Sequence, residues 1–281
     1  MKIKTTDGGG GKGAKVASFL DYAPQSFSQA QMRAGTSTGS IIEAMQALNF
    51  STKEILNKYL ELGGVIFDKK PFRFGIRNAV YDNRPLIDLV HSTLKDACFG
   101  DLPKDQFLII PAYNITQEKR CIFTNASRTK YDGVKIADAV IASSSAPRFF
   151  NAYEFGGEYY IDGGLVINNP SLVAYDEAIR LGVLPKEIDL TSFSTGYVDK
   201  DLEDIFKRWC LSDVSHLIDF MLREQQETAH LKLLDLQKFE DFKYKRIEMP
   251  TIYSNGRIDD FSKDNVKGMV LDGRLAFDRM T

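Results

Sequence analysis

Short apolar runs alternate with stretches of helical periodicity from the start of the chain to about residue 200, and this alternation predicts the elements. KIKTT (2–6) reads as a strand, AKVASFLDY (14–22) as a short helix stopped by Pro24, and QMRAG (31–35) as a second strand. A helix follows at once in SIIEAMQALNF, with Ile41, Ile42, Met45 and Leu48 at helical spacing. STKEILNKYLEL opens with a capping box, Ser51 and Glu54, and PLIDLVHSTLKDACF (85–99) carries proline at a helix start. QFLIIPAYN (106–114) and RCIFTN (120–125) predict strands, and KIADAVIASSSA (135–146) predicts a small-residue helix ending before Pro147. GEYYIDGG (157–164) predicts a strand running into a turn, PSLVAYDEAIRLG (170–182) a glycine-capped helix, and EIDLTSFSTG (187–196) another strand. From residue 201 the pattern turns mainly helical and predicts a cover over the sheet. Strands and helices in alternation define an α/β fold with helices on both faces of the sheet.

Neither an internal repeat nor a Pro/Gly/Ser-rich linker divides the 281 residues, so one domain over 1–281 is expected, with a core over about 1–200 and a helical C-terminal region over about 201–281. With 43% hydrophobic and 26% charged residues the composition is that of a soluble protein with a sizeable core. Thirty-six basic against 38 acidic residues leave a formal charge of −2, which gives no general attraction to nucleic acid. MKIKTTD lacks the apolar core of a signal peptide and no run of 18 apolar residues occurs, so a cytoplasmic protein is expected. Cys98, Cys121 and Cys210 are odd in number and outside any CxxC, which predicts idle thiols and no disulfide frame or zinc site.

Three short strings carry the chemistry. GTSTG, Gly35 to Gly39, is a G-x-S-x-G between a predicted strand and a predicted helix; a sharp turn there lifts the Ser37 hydroxyl above the sheet, at a helix N-terminus suited to developing negative charge. A serine nucleophile needs a base. His91 precedes any acid candidate, and His216 and His230 fall inside helical patterns rather than on loops after strands. Asp162 in YYIDGG ends a strand and is followed by Gly163 and Gly164, which permit close approach of backbone. A carboxylate is a weak base for a serine, so the pair requires strong oxyanion stabilisation. DGGGGKG, residues 7 to 13, is the place for it: bare backbone amides can surround a negative oxygen, with the charge of Lys12 nearby. Gly8, Gly10 and Gly13 also spell G-x-G-x-x-G, but Arg33 stands near the end of the next strand where a ribose-binding acid is needed, and Gly13 follows Lys12 where a phosphate-binding loop needs Ser or Thr.

DGGGGKG, GTSTG and IDGG, in this order, resemble the signatures of the patatin-like phospholipases: a D-G-G-G-x-[KR]-G loop, a G-x-S-x-G elbow and a D-G-[GA] turn. The resemblance extends through YDNRPL (81–86), ASSSAPRFF (142–150) and DGGLVINNP (162–170), and more faintly to KYKRIEMP. It implies a three-layer α/β/α sandwich with a mostly parallel central sheet. It implies Ser37 as nucleophile and Asp162 as base of a Ser-Asp dyad, and the amides of Gly9 and Gly10 as the oxyanion hole. Asp7, Gly8, Gly11, Lys12, Gly13, Gly35, Gly39, Gly163 and Gly164 complete the motifs. The implied activity is hydrolysis of acyl esters of phospholipids, lysophospholipids or other lipids, without calcium, metal or other cofactor. It also leaves room for an activating ligand or protein partner. Two features depart from the family. The span from Gly13 to Gly35 is short, and the strands QAQMRAG and KIKTT are polar for buried positions, which predicts a partner or covering segment near that edge.

FDKKPFRFGIRNAVYDNR (67–84) interleaves Lys69, Lys70, Arg73, Arg77 and Arg84 with Phe67, Phe72, Phe74 and Ile76. It reads equally as a peripheral membrane contact, rings inserted and cations on headgroups, or as a helix that packs its phenylalanines inward. Trp209, near Phe206 and Leu211, fits either role. Two other functions compete: a soluble carboxylesterase or thioesterase with a histidine triad through His216 or His230, and a catalytically idle lipid-binding regulatory module on the same fold.

Overall fold

The computed structural model describes residues 1–67, 79–126, 129–197, 207 and 214–280. Its centre is a pair of parallel strands, β1 (Lys2–Thr6) and β2 (Met32–Gly35), joined through helix α1 (Gly13–Tyr22). Beyond β2 lies β3 (Phe107–Asn114), and beyond β1 lie β7 (Asp189–Phe193) and β8 (Lys243–Ile247), all parallel. The other flank is antiparallel: β4 (Lys119–Thr124) and β6 (Glu158–Asp162) both pair with β3, and β5 (Tyr153–Phe155) pairs with β6. This mixed sheet is the expected α/β/α sandwich, parallel through its middle.

Side chains alternate along the strands and so divide between two helical layers. Leu108, Ile110 and Ala112 of β3 face a layer that contains α1, α2 (Thr38–Ala47), α3 (Thr52–Ile66), α4 (Arg84–Leu94) and α5 (Ile136–Ser144). Ile3, Met32, Ala34, Ile109 and Leu190 face α6 (Ser171–Arg180) and α7 (Val214–Leu236). The last helix, α8 (Lys263–Asp278), packs on α1. The capping box of α3 forms as read: Glu54 N donates to Ser51 Oγ at 3.3 Å and Ser51 N to Glu54 Oε2 at 2.8 Å.

Three expectations need correction. The polar strands do not lie at an edge: β1 and β2 are central, and α2 is the segment that covers their charges. Glu43 pairs with Lys4 at 3.3 Å and Arg33 at 3.4 Å, Arg33 donates to Gln46 at 2.8 Å, and Lys4 also donates to Gln46. Burial pushes the Lys4 ammonium down to about 8, with Glu43 opposing the shift. On the other face Thr5 bonds Ser171 at 2.6 Å. The C-terminal region is helical but not only a cover, because KYKRI forms β8 and caps the free edge of β7, leaving Lys243 and Lys245 exposed along the new edge. The helix read over 85–99 ends at Leu94, where Lys95 turns to φ 55°. Residues 68–78, which hold most of the basic and aromatic run, and Phe206, Trp209, Cys210 and Leu211 lie outside the described residues.

Candidate active site

The register of β3 sets two strand ends face to face. Along one side of β3, Phe107 to Ile109 pair with the parallel β2, and Ala112 to Asn114 pair with the antiparallel β6. The two strands approach head-on, so the turn after Gly35 and the carboxylate of Asp162 arrive at the same place above the sheet. Ser37 Oγ donates to Asp162 Oδ2 at 2.7 Å.

The serine turn is tight enough to dictate its glycines. A Cβ on Gly35 would overlap Gly39 O, and one on Gly39 would overlap Thr6 O, backbone that no rotamer change can move aside. Ser37 itself stands at φ 52°, ψ −122°, strained for a residue with a Cβ and typical of a nucleophile elbow. Its amide donates to Ser143 Oγ at 2.9 Å, and Ser40 Oγ donates to Ser37 O at 2.6 Å.

Asp162 is held as firmly. Its amide donates to Ser145 O at 3.0 Å, and its Oδ1 accepts from Gly164 N at 2.6 Å. Gly163 packs against Pro111 O, leaving no space for a side chain. Burial pushes the carboxyl up to about 6, and the hydrogen bonds from Ser37 and Gly164 limit the rise. The result is a carboxylate more basic than usual, aimed at a hydroxyl.

The glycine loop completes the constellation, and its hydrogen bonds sort its amides. Gly8 N donates to Asn168 O at 3.1 Å and Gly11 N to Ile258 O at 2.7 Å. The amides of Gly9 and Gly10 donate to no group among the described residues, and both glycines line the pocket that holds Ser37 and Asp162. Gly8 O accepts from Thr195 Oγ1 at 2.8 Å and from Gln226 Nε2 at 3.3 Å. At the root of the loop Arg246 donates to Asp7 Oδ2 at 2.7 Å and to Ser192 Oγ at 2.9 Å. Burial outweighs that guanidinium and pushes Asp7 up to about 6. Lys12 Nζ donates to Gly196 O at 2.8 Å, so its charge braces the loop against the end of β7. Gly13 lies against Thr38 and Tyr59, where a side chain would clash.

From this floor a pocket of about 130 Å³ runs between α2 and α4. Ile41 and Met45 stand one and two turns beyond Ser37 on α2, opposite Leu86, Val90 and Leu94 of α4, and Phe149 and Phe150 close one side. None of the three histidines lines it. His91 sits 3.5 Å from Asp138, and His230 bonds Tyr244 at 2.9 Å. Among the described residues no group of three or more His, Cys, Asp or Glu could hold a metal ion. No described helix is long and apolar enough to cross a membrane.

The positions singled out in the sequence thus converge: Ser37, Asp162, Gly9 and Gly10 face one pocket. Sequence reasoning missed their supports. Ser143 and Asn168 lie within the quoted ASSSAPRFF and DGGLVINNP strings, which mark them without assigning a task. Arg246 lies in the faintly similar KYKRIEMP and Thr195 at the end of EIDLTSFSTG, again with no task assigned, and Gln226 and Ile258 carry no local signal at all.

A serine elbow, a facing aspartate and a glycine loop on a mixed α/β/α sheet define the patatin fold. The family model for patatin-like phospholipase matches residues 5–175, and the chain belongs to that family. It is 27% identical over 208 residues to a cGAMP-activated phospholipase of Vibrio cholerae, covering 64% of this chain and 58% of that protein. It is also 27% identical over 346 residues to patatin-like protein 2 of Oryza sativa subsp. indica, covering 99% and 84%. Against the rabbit (Oryctolagus cuniculus) calcium-independent phospholipase A2-gamma the identity is 25% over 228 residues, covering 73% and 29%. The chain therefore spans just over half the length of the Vibrio relative and under a third of the rabbit one.

Proposed function

We propose that this chain hydrolyses carboxylic ester bonds of phospholipids or lysophospholipids through a Ser37–Asp162 dyad. The observation that carries this reading is the 2.7 Å hydrogen bond from Ser37 Oγ to Asp162 Oδ2 at the mouth of an apolar pocket. Asp162 takes the hydroxyl proton as Ser37 Oγ attacks the ester carbonyl carbon, and the amides of Gly9 and Gly10 donate to the resulting oxyanion. When the tetrahedral species collapses, the carbon–oxygen bond to the alcohol breaks and Asp162 returns the proton to the leaving oxygen. Water, deprotonated by the same carboxylate, then attacks the acyl-enzyme, and the fatty acid leaves as Ser37 regains its proton.

The preorganised loop compensates for the weak base. One fixed donor contributes roughly 3 kcal/mol to the transition state, and the loop offers two. The steps as written use no calcium, in keeping with the name of the rabbit relative. Residues 1–281 act in this reading as one unit, because the loop that holds the oxyanion is tied to residues beyond 190. The enzyme meets its substrate peripherally at a membrane from the cytoplasm. A ligand that activates it also fits, since the Vibrio relative is named for activation by cGAMP.

The test combines a fluorophosphonate probe with mixed phospholipid liposomes. Labelling at Ser37, free fatty acid released by wild type, and loss of both in Ser37→Ala are expected. Asp162→Asn should lower turnover at least a thousandfold. Lipid binding by the wild type with neither labelling nor release would favour the idle module. Loss of activity in His216→Ala or His230→Ala would favour a histidine triad.

A further inference from the structure

We infer that residues 258–261 form a wall of the acyl pocket and that Phe261 determines which acyl groups the pocket admits, an inference that rests on the hydrolase reading above. These residues lie beyond the stretch matched by the family model. They are pinned nearly residue by residue. Ile258 O accepts from Gly11 N at 2.7 Å, Asp259 Oδ2 from Tyr81 OH at 2.9 Å, and Asp260 Oδ1 from Ser262 N at 2.8 Å. So held, Ile258 and Phe261 line the same pocket as Ser37 and Asp162.

The ring of Phe261 is set into a notch made of two glycines. A Cβ on Gly11 would lie 2.5 Å from Phe261 Cε2, and one on Gly63 would overlap the ring outright. Phe67 stacks on its outer side, with centroids 5.1 Å apart and planes at 10°. Gly63 lies inside α3, where glycine is less favourable than alanine by about 1 kcal/mol, and the seated ring accounts for it. Gly11 fills the unspecified position of the D-G-G-G-x-[KR]-G loop, so the same ring accounts for that choice.

The position of the ring decides what it selects. It abuts Gly11, next to the amides that receive the carbonyl oxygen, and so borders the first part of the acyl path. That path runs along α2 past Ile41 to Met45, about 12 Å for eight residues of helix. By length alone that path matches a straight chain of about ten carbons. A branch close to the carbonyl meets the Phe261 ring.

The experiment uses the full chain and p-nitrophenyl esters of straight and 2-methyl-branched acids of four to twelve carbons, with Ser37→Ala as the blank. Phe261→Ala should raise the branched-to-straight ratio of kcat/KM about tenfold, the scale of steric discrimination in apolar pockets. Phe261→Leu should fall between Phe261→Ala and wild type. Gly63→Ala keeps every apolar atom, suits its helix and forces the ring aside, so it should change the ratio, in either direction, even where Phe261→Ala folds poorly. If both variants slow all esters by one factor, Phe261 is only packing and the inference is overturned. If the wild type turns over no ester above the blank, the hydrolase reading fails instead. The pocket is then judged by displacement of a fluorescent fatty acid from Ser37→Ala and Ser37→Ala/Phe261→Ala: an unchanged preference between branched and straight acids overturns the inference, and a shift toward branched acids upholds it.

Discussion

The serine turn and the glycine loop stand side by side above the same sheet, yet they are built in opposite ways. The serine turn is made mostly from what lies next to it: Gly35 and Gly39 fold it, Ser40 braces it, and the start of α2 follows at once. The glycine loop has almost no structure of its own. Its amides, carbonyls and carboxylate are held by Asn168, Thr195, Gln226, Arg246 and Ile258, groups 150 to 250 residues away along the chain. A motif that must hold one strained hydroxyl can be written locally. A motif that must aim bare amides at an oxygen needs its other hydrogen bonds claimed by distant partners, so that only the useful donors stay unclaimed.

The hardest blow to the local half is Gly39→Ala. Its Cβ would press on Thr6 O, so the turn must open or β1 must move; fluorophosphonate labelling should vanish and the melting temperature should drop by several degrees or more. Retained labelling would mean that the turn is looser than its geometry implies. For the distant half, Arg246→Met leaves Asp7 buried without its guanidinium. We expect kcat to fall about 100-fold with KM within a few-fold, partial recovery in Arg246→Lys, and clear non-additivity with Asp7→Asn in a double-mutant cycle. A rise in KM at constant kcat would show that Arg246 does not act through the loop.

The two halves also titrate together. Asp7 and Asp162 both rise to about 6 on folding, so between pH 4 and 6 the folded chain holds more protons than the unfolded one, and stability contributed by these groups declines as pH rises through that window. Asp162→Asn removes one of the two buried charges. Above pH 7 it should be more stable than wild type by about 1–2 kcal/mol in urea unfolding while being inactive. In the wild type kcat/KM should climb to a plateau through pH 6, as the base loses its proton. The mildest change, Thr195→Val, withdraws one of two donors from Gly8 O and should lower kcat only a few-fold, measured with the same ester.

The contrast also explains what could be read in advance. Strand and helix order from β1 to β7, apart from β5, and the capping box at Ser51 were legible, because periodicity and caps are local signals; the pairing of Ser37 with Asp162 came from the resemblance carried by three motifs. β5 was not legible, since three residues give no alternation to count. β8 was hidden for another reason: KYKRI, with basic residues at three of five positions, looks like a solvated turn until β7 supplies an open edge and Asp7 a charge for Arg246. The polarity of KIKTT was visible but misattributed. A sequence shows Lys4, Arg33 and Glu43 as separate charges, and only the register of β1 with β2 beneath α2 joins them.

β3 contributes neither Ser37 nor Asp162, yet it acts as the ruler between them. Two residues, Ile110 and Pro111, separate the stretch that pairs with β2 from the stretch that pairs with β6. An insertion of a single amino acid there would slide the carboxylate roughly 3.3 Å along the strand direction and turn the pleat over, parting a hydroxyl and an oxygen now in contact without touching either residue. The gauge of the proposed dyad is thus kept by a strand that contributes no residue to it.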